Sequence, residues 1–251
     1  MNLDIKESFE KTRIAGSVAA GALDEVRQII QPGIETKKID KLCYEYINDH
    51  KAYSAPLLYR GFPKSCCISV NHVVCHGIPS EKILKEGDIV NVDVTAFKDG
   101  WHGDTSRTFE VGEISIKAKK LVDTTYESMM KAIEILKEDV KLGDIGSTIQ
   151  KYVEAQGLSV VQDFCGHGIG ETFHKEPNVL HYGKSGTGQK IKTGMIFTIE
   201  PMINLGGYET KILNDGWTAV TRDKSLSAQF EHTVGILKNG YEIFTQSKNL
   251  S

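Results

Sequence analysis

The sequence predicts an α+β chain of 251 residues, one domain built from two pseudo-symmetric halves at about 1–112 and 113–251. Three observations carry this. Helix, helix, loop and acid-ended strand occur twice in the same order. The segments KEGDIVNVDV (85–94) and KTGMIFTIEP (192–201) share a Lys, a Gly and an apolar run, and each sets a carboxylate six residues after its Gly: Asp93 after Gly87, Glu200 after Gly194. LGDIGSTIQKYV resembles PGIETKKIDKLCYEY in length and pattern, with Gly143 facing Gly33 and Ile149 facing Ile39, an offset of 110 residues against 107 for the strands. A repeated supersecondary unit is the mark of duplication, and a site between the halves would draw acids from both.

The elements follow in order. Residues 8–31 read as a helix, with Ile14, Val18, Ala22, Val26 and Ile29 at helical spacing and Pro32-Gly33 as the stop. Thr36 is placed to cap a second helix whose apolar face is Ile39, Leu42, Cys43, Tyr46 and Ile47. Residues 52–79 are irregular and rich in Gly, Pro and aromatics, with the short β-type runs ISV and HVVCH inside them. From Ile89 to Phe97 the chain alternates: Val90, Val92, Val94 and Ala96 face one way, Asn91, Asp93 and Thr95 the other. Asp99-Gly100 signals a hairpin, so the strand returning through 105–111 brings Asp104 back near Asp93 on one sheet face. In the second half, 116–138 and 143–156 read as helices.

Composition excludes several functions. The chain is 40% hydrophobic and 25% charged with a net charge of −3, and acids and bases are mixed along it. No block of like charge suggests nucleic-acid binding. The charged start, MNLDIKESFEKTR, is no signal peptide, and no apolar run approaches the ~20 residues of a membrane span. Five cysteines, an odd number without a C-x-x-C, fit reduced thiols in a cytoplasmic protein better than a disulfide scaffold or a structural zinc site.

The chemistry is concentrated in four acids and one histidine: Asp93 in NVDVTAF, Asp104 in WHGDTSR, His167 in CGHGIGETFH, Glu200 in FTIEPM and Glu231 in AQFEHT. A carboxylate ending an apolar run is costly to bury unless paired or bound to a metal. Four such acids converging without Lys or Arg would repel one another, and a pair of divalent cations would remove that repulsion. Oxygen-rich sites with one imidazole suit Co, Mn, Fe(II) or Zn in a catalytic role. GHGIG misses the dinucleotide-binding pattern, because Glu171 stands where its third Gly should be. The glycines flanking His167 are instead expected to let the backbone pass close to a metal or ligand. His174, beside Phe173, and His76, in CHGIP, join the set. Neither H-E-x-x-H nor G-x-S-x-G occurs.

The blocks CHGIP, DVTAFKDGWHGDTSRTF, CGHGIGETFHKEPNV, GMIFTIEPM and SAQFEHT together resemble the signature of the type I methionine aminopeptidases, in order and with compatible spacing from the first helix to the last strand. The resemblance implies the pita-bread fold, a curved antiparallel sheet backed by helices. It implies removal of the initiator methionine from nascent polypeptides when the second residue is small. It gives Asp93 one of two metals, Asp104 and Glu231 both, and His167 and Glu200 the second, with Glu200 also handling the proton of the attacking water. His174 would stabilise the oxyanion, and His76 would contact the scissile amide and assist the leaving amine. Tyr59, Phe62, Cys67, Phe173 and Trp217 would line a methionine pocket, where aromatics and sulfur suit a thioether. Asn71, Val73 and Ser227 match the family's site for a monovalent cation. A cytoplasmic monomer in transient contact with the ribosome is the expected setting.

The chain departs from the family at Pro56, where many bacterial relatives have Cys, and at Phe62, where Tyr is common; neither touches the metal chemistry. The insertion of type II enzymes does not stand between His174 and Glu200, and the expected form is a minimal bacterial or organellar one without an N-terminal zinc-binding extension. Two rivals remain. An Xaa-Pro aminopeptidase or dipeptidase of the same fold usually carries a large N-terminal domain, and 92 residues precede Asp93 here. A non-catalytic peptide-binding module should lack some ligands, whereas all five are present.

Overall fold

The computed structural model describes residues 3–247. Helices α1 (Leu3–Ile29) and α2 (Thr36–Asp49) precede β1 (Tyr53–Ser54), β2 (Cys67–Val70), β3 (Val73–Cys75) and the long hairpin β4 (Ile89–Lys98) and β5 (Trp101–Glu110). Helices α3 (Ile116–Glu134) and α4 (Leu142–Ala155) open the second half. The strands β6 (Ser159–Val160), β7 (Gly166–Gly168), β8 (Lys175–Val179), β9 (Ile196–Ile199) and β10 (Met202–Asn204) follow. The last five are β11 (Thr210–Ile212), β12 (Ala219–Thr221), β13 (Ser227–Gln229), β14 (Glu231–Leu237) and β15 (Gly240–Ile243).

Nine strands form one curved antiparallel sheet in the order β1-β4-β5-β14-β9-β7-β8, with β2 also on β4 and β15 also on β14. The halves join where β5 meets β14, Ser106 opposite Glu231 and Thr105 opposite His232. Exchanging the two sides of this seam exchanges β4 with β9, β5 with β14 and β2 with β7. The repeated K-x-G segments make the same turn. Gly87 and Gly194 both have left-handed φ, 87° and 92°, and the amides of Asp88 and Met195 donate to the carbonyls of Lys85 and Lys192, each at 3.1 Å.

The helices repeat at a different offset from the one the sequence suggests. Glu35 and Lys141 are the residues that cap α2 and α4, and each forms an isolated bridge, with Ile83 and Lys190. The offset is therefore 106 (141 against 35), not 110. Gly143 lies inside α4 and is no counterpart of Gly33. A Cβ there would stand 2.4 Å from Thr187 Oγ1 and 2.5 Å from the Lys184 carbonyl, so it answers a local crowding that the first half lacks.

Each helix pair covers its own part of the same sheet face. Val18, Ala22 and Val26 of α1 and Ile39, Cys43 and Ile47 of α2 pack on Val90, Val92, Val94 and Ala96. Met129 and Ile133 of α3 and Ile145, Ile149 and Val153 of α4 pack around Phe197, Ile199 and Val234. Complete burial of a side chain such as Ile39 or Ile149 stabilises by about 1.5–3 kcal/mol. The alternation of β4 therefore sends its valines to helix and leaves Asn91, Asp93 and Thr95 on the opposite, concave face.

Several element details differ from expectation. Helix α1 starts at Leu3, and its buried stripe is Ala15, Val18, Ala19, Ala22, Leu23 and Val26; Ile14 is half-buried. Thr36 does not cap α2, which has Glu35 at that position without a side-chain bond. Its hydroxyl instead donates to the Ser80 carbonyl at 3.0 Å and accepts from the Ser80 amide at 2.9 Å, tying α2 to the loop before β4. Helix α3 ends at Glu134, short of 138. Asp99 and Gly100 form the hairpin turn with φ of 50° and 85°, as a two-residue turn of matching twist requires. Among the described residues no helix is long and apolar enough to cross a membrane.

Candidate active site

The four acids and one histidine come from four strands and one strand end, and all line one cavity of about 390 Å³. Asp93 on β4 lies opposite Ser106 of β5, and Asp104 lies opposite Thr95, so the two acids are diagonal neighbours on the concave face. Glu231 opens β14 opposite Ser106, which brings it to the same spot across the seam. His167 sits in β7, and Glu200 directly follows β9. Ligand atoms of Asp104, His167 and Glu231 all lie within 4.8 Å of one another. His167 Nε2 is 3.7 Å from Asp104 Oδ2 and 3.6 Å from Glu200 Oε1. His167 Nδ1 lies 3.1 Å from the Gly168 carbonyl, which places the ring proton on Nδ1 and aims the Nε2 lone pair at the acids.

Hydroxyls on the same faces aim the carboxylates. Thr95 Oγ1 donates to Asp104 Oδ1 at 2.7 Å, and Thr198 Oγ1 donates to Glu200 Oε1 at 2.7 Å while accepting the His167 amide at 2.9 Å. Gln229 Nε2 lies 3.4 Å from Glu200 Oε2. These residues were not singled out from sequence, yet period-2 alternation flags them. Thr95 is two positions after Asp93, Thr198 two before Glu200, and Gln229 two before Glu231, each on the ligand's own face.

The electrostatics fit a cation. Burial pushes Asp93 up to about 7 and Glu200 up to about 8. Burial also holds Asp104 and Glu231 well above the usual carboxylate range, with the charges of the other acids adding to it. Burial lowers His167 to about 4, so the imidazole is neutral and offers a lone pair rather than a counter-charge. Among the described residues no Lys or Arg lies within ion-pair distance of the four acids, and buried Glu231 Oε1 has no hydrogen-bond donor. A divalent cation would satisfy that oxygen and replace the protons that otherwise keep the cluster together.

The glycines beside His167 serve a different purpose from the one expected. A Cβ on Gly166 would stand 2.4 Å from the Thr198 carbonyl, and one on Gly168 would stand 2.2 Å from the Glu176 carbonyl. They admit the neighbouring strands to His167, not a ligand.

The rest of the cavity is aromatic and sulfur-rich, and it holds every pocket residue expected from sequence: Tyr59, Phe62, Cys67, Phe173, Trp217 and the two histidines. Phe62 meets Trp217 edge-on at 5.2 Å, His76 lies edge-on to Phe164 at 5.5 Å, and Cys67 is the cross-strand partner of Asp93. His76 has a left-handed φ of 54°, an uncommon conformation for such a residue, and its burial lowers its pKa. His174 is exposed at the rim, 4.2 Å from the His167 ring; its pKa is lowered by partial desolvation first and by the neighbouring His167, beside which a second protonated ring is disfavoured, second. Pro56 also lines the cavity. His102, which the sequence does not mark, stacks on Phe173 at 5.4 Å and 11° and fixes that wall. Asn71, Val73 and Ser227 lie outside the cavity. The Asn71 carbonyl accepts from the Ser227 amide at 2.9 Å, and Ser227 Oγ is buried without a partner.

Residues 10–238 match the metallopeptidase family M24. The chain belongs to metallopeptidase family M24. It is 54% identical over 248 residues to a methionine aminopeptidase of Rickettsia prowazekii (strain Madrid E), covering 98% of this chain and 96% of that protein. It is 51% identical over 253 residues to the methionine aminopeptidase of Escherichia coli (strain K12), covering 99% and 96%. The crystal structure of the methionine aminopeptidase from R. prowazekii superposes with a TM-score of 0.95 at 55% identity, over 96% of this chain and 98% of that one. The prolidase from Pyrococcus furiosus shares the fold alone, with a TM-score of 0.78 at 22% identity over 65% of its length. The pita-bread fold is thus common to this M24 chain and to both kinds of enzyme. A metallopeptidase family and a buried acid–histidine cluster agree on divalent metal.

Proposed function

We propose that this M24 chain removes the N-terminal methionine from nascent polypeptides whose second residue is small, and that residues 1–251 act as one catalytic unit whose halves meet at the β5–β14 seam. The observation that carries the reading is the union, in one cavity, of an unpaired acid cluster with an aromatic and thiol-lined pocket. The first calls for cations and the second fits a thioether side chain. The names of the relatives at 51–54% identity support it.

Asp93, Asp104, His167, Glu200 and Glu231 would hold two divalent ions. Bound there, such ions polarise a carbonyl and lower the pKa of water. The protein's own groups do the rest. Glu200, held at Oε1 by Thr198, accepts and returns a proton at a carboxylate oxygen. His174, with Nδ1 engaged by Tyr59, presents Nε2 to the carbonyl oxygen as charge develops there. His76 faces the scissile amide and assists departure of the amine. Tyr59, Phe62, Cys67, Phe173 and Trp217 bury the methionine side chain, and the cavity wall that includes His76 and His174 limits the second residue. The orphaned Ser227 hydroxyl beside the Asn71 carbonyl supports a monovalent cation near Asn71, Val73 and Ser227. We place the enzyme in the cytoplasm as a monomer that meets its substrates at the ribosome, with Co, Mn, Fe(II) or Zn as candidate metals.

The test is release of Met from a Met-Ala-Ser peptide, with and without metal, beside an Xaa-Pro peptide. Metal-dependent release of Met supports the reading. Cleavage of the Xaa-Pro peptide alone, or no cleavage with any metal, overturns it.

A further inference from the structure

Glu200 occupies a break in the sheet. The β9–β14 ladder ends at the pair Ile199 and His232. The chain then leaves for β10, which belongs to the separate β13-β10-β6 sheet. Pro201 has no amide hydrogen to offer at this break. The amide of Glu200 therefore needs an acceptor from outside the ladder, and it finds Nε2 of His181 at 3.1 Å.

This bond determines the histidine's tautomer. Nε2 accepts, so the ring proton is on Nδ1. The side chain is completely buried, and Nδ1 has no partner. An unpaired buried donor costs about 1–3 kcal/mol. An apolar residue would fill the space without that cost, so the acceptor at Nε2 is the property that distinguishes histidine here.

The position of the ring is itself enforced. His181 follows β8, and segment 180–182 is pressed against the first half of α4 at Gly146. A Cβ on Gly146 would stand 2.3 Å from the Tyr182 carbonyl and 2.8 Å from the Leu180 carbonyl. The absence of a side chain at Gly146 thus lets α4 hold the segment in, and the segment aims the imidazole at the break after β9.

We propose that His181 is a positioning residue: by accepting the Glu200 amide it fixes the main chain at the sheet break and so holds the Glu200 carboxylate in its ligating direction. Thr198 on Oε1 and Gln229 near Oε2 orient the carboxylate end, and His181 anchors the other end. The inference rests on the proposed role of Glu200 as a metal ligand, and it adds an outer partner of the kind that commonly tunes metal affinity.

The experiment is calorimetric titration of the metal-free protein with Mn(II), together with thermal melting and turnover of Met-Ala-Ser. It compares wild type, His181→Phe, His181→Gln and Glu200→Ala. Phe fills the space without an acceptor, whereas the Gln carbonyl can accept the Glu200 amide. In His181→Phe the equivalent that Glu200→Ala abolishes should bind about 10–100-fold more weakly. The other equivalent should be unchanged, and kcat should fall with KM held. In His181→Gln affinity and kcat should largely return. If His181→Phe does not fold, His181→Leu takes its place in the comparison with His181→Gln. A lower melting temperature with wild-type affinity for both equivalents and wild-type kcat would overturn the inference and leave only a packing role. Failure of the wild type itself to release Met with metal would overturn the function, a result distinct from equal behaviour of all the His181 variants.

Discussion

The phenol oxygen of Tyr59 lies 3.0 Å from Nδ1 of His174, with the two rings 5.2 Å apart at a tilt of 34°. Tyr59 stands in a single 3-10 turn between Leu58 and Arg60, both non-glycine residues with left-handed φ, of 66° and 48°. Such a backbone persists only where surrounding contacts enforce it. A phenol donating to Nδ1 leaves the imidazole proton on Nε2, the tautomer able to donate into the cavity.

Replacing Tyr59 with Phe should therefore lower kcat/KM for Met-Ala-Ser roughly tenfold, the size of one lost hydrogen bond that orients a catalytic group. The same change should have little further effect once His174 is Ala. Equal losses in both backgrounds would show that the phenol does not act through His174.

His174 and His167 are neighbours with different tasks, and their alanine variants should separate them. His174→Ala should retain its metal and lose kcat by on the order of 100-fold or more, as when one oxyanion donor is removed. His167→Ala should lose a metal equivalent. Metal content measured beside kcat and KM settles the matter: a His174→Ala protein short of metal, or one altered in KM alone, contradicts the assignment.

Without metal, stability should fall as pH rises above 7. Asp93 and Glu200 have folded-state values of about 7 and 8, above those of an unfolded chain near 4. The folded state then binds more protons than the unfolded state in between. The stabilising protonation is complete below pH 4 and is lost as pH passes through 7 and 8. Melting temperatures of the metal-free protein should decline from pH 7 to 9, above the range in which histidines held neutral in the fold, such as His167, His181 and His232, give the opposite slope, and added divalent metal should flatten the profile. A metal-free profile that rises over this range would contradict the account.

The ligand set was legible because its signal is local. Asp93 interrupts an apolar strand, Glu200 follows one and Glu231 opens one, each a place where a carboxylate is out of keeping, and the Asp99-Gly100 turn sets Asp104 back beside Asp93 without any distant information. What was illegible depends on distant contacts. Nothing around His181 marks it, since its meaning comes from a sheet break nineteen residues later. The glycines at 166 and 168 read as making room for a ligand because the strands that crowd them, at Thr198 and Glu176, are not visible from the motif. Thr36 has the composition of a cap, but a carbonyl and an amide of Ser80 claim its hydroxyl. The duplication was legible in the strands, where Gly87 and Gly194 keep one turn. It was misaligned in the helices, where Gly143 answers a contact unique to its half.

The central claim is that Asp104 and its neighbours hold a pair of divalent ions on which methionine release depends. Metal stoichiometry of the wild type and of Asp104→Asn, measured at limiting metal beside turnover of Met-Ala-Ser, tests it most directly. The account predicts two equivalents and metal-dependent release for the wild type, and a joint loss of binding and turnover when the carboxylate becomes an amide. Wild-type stoichiometry and turnover in Asp104→Asn would contradict it.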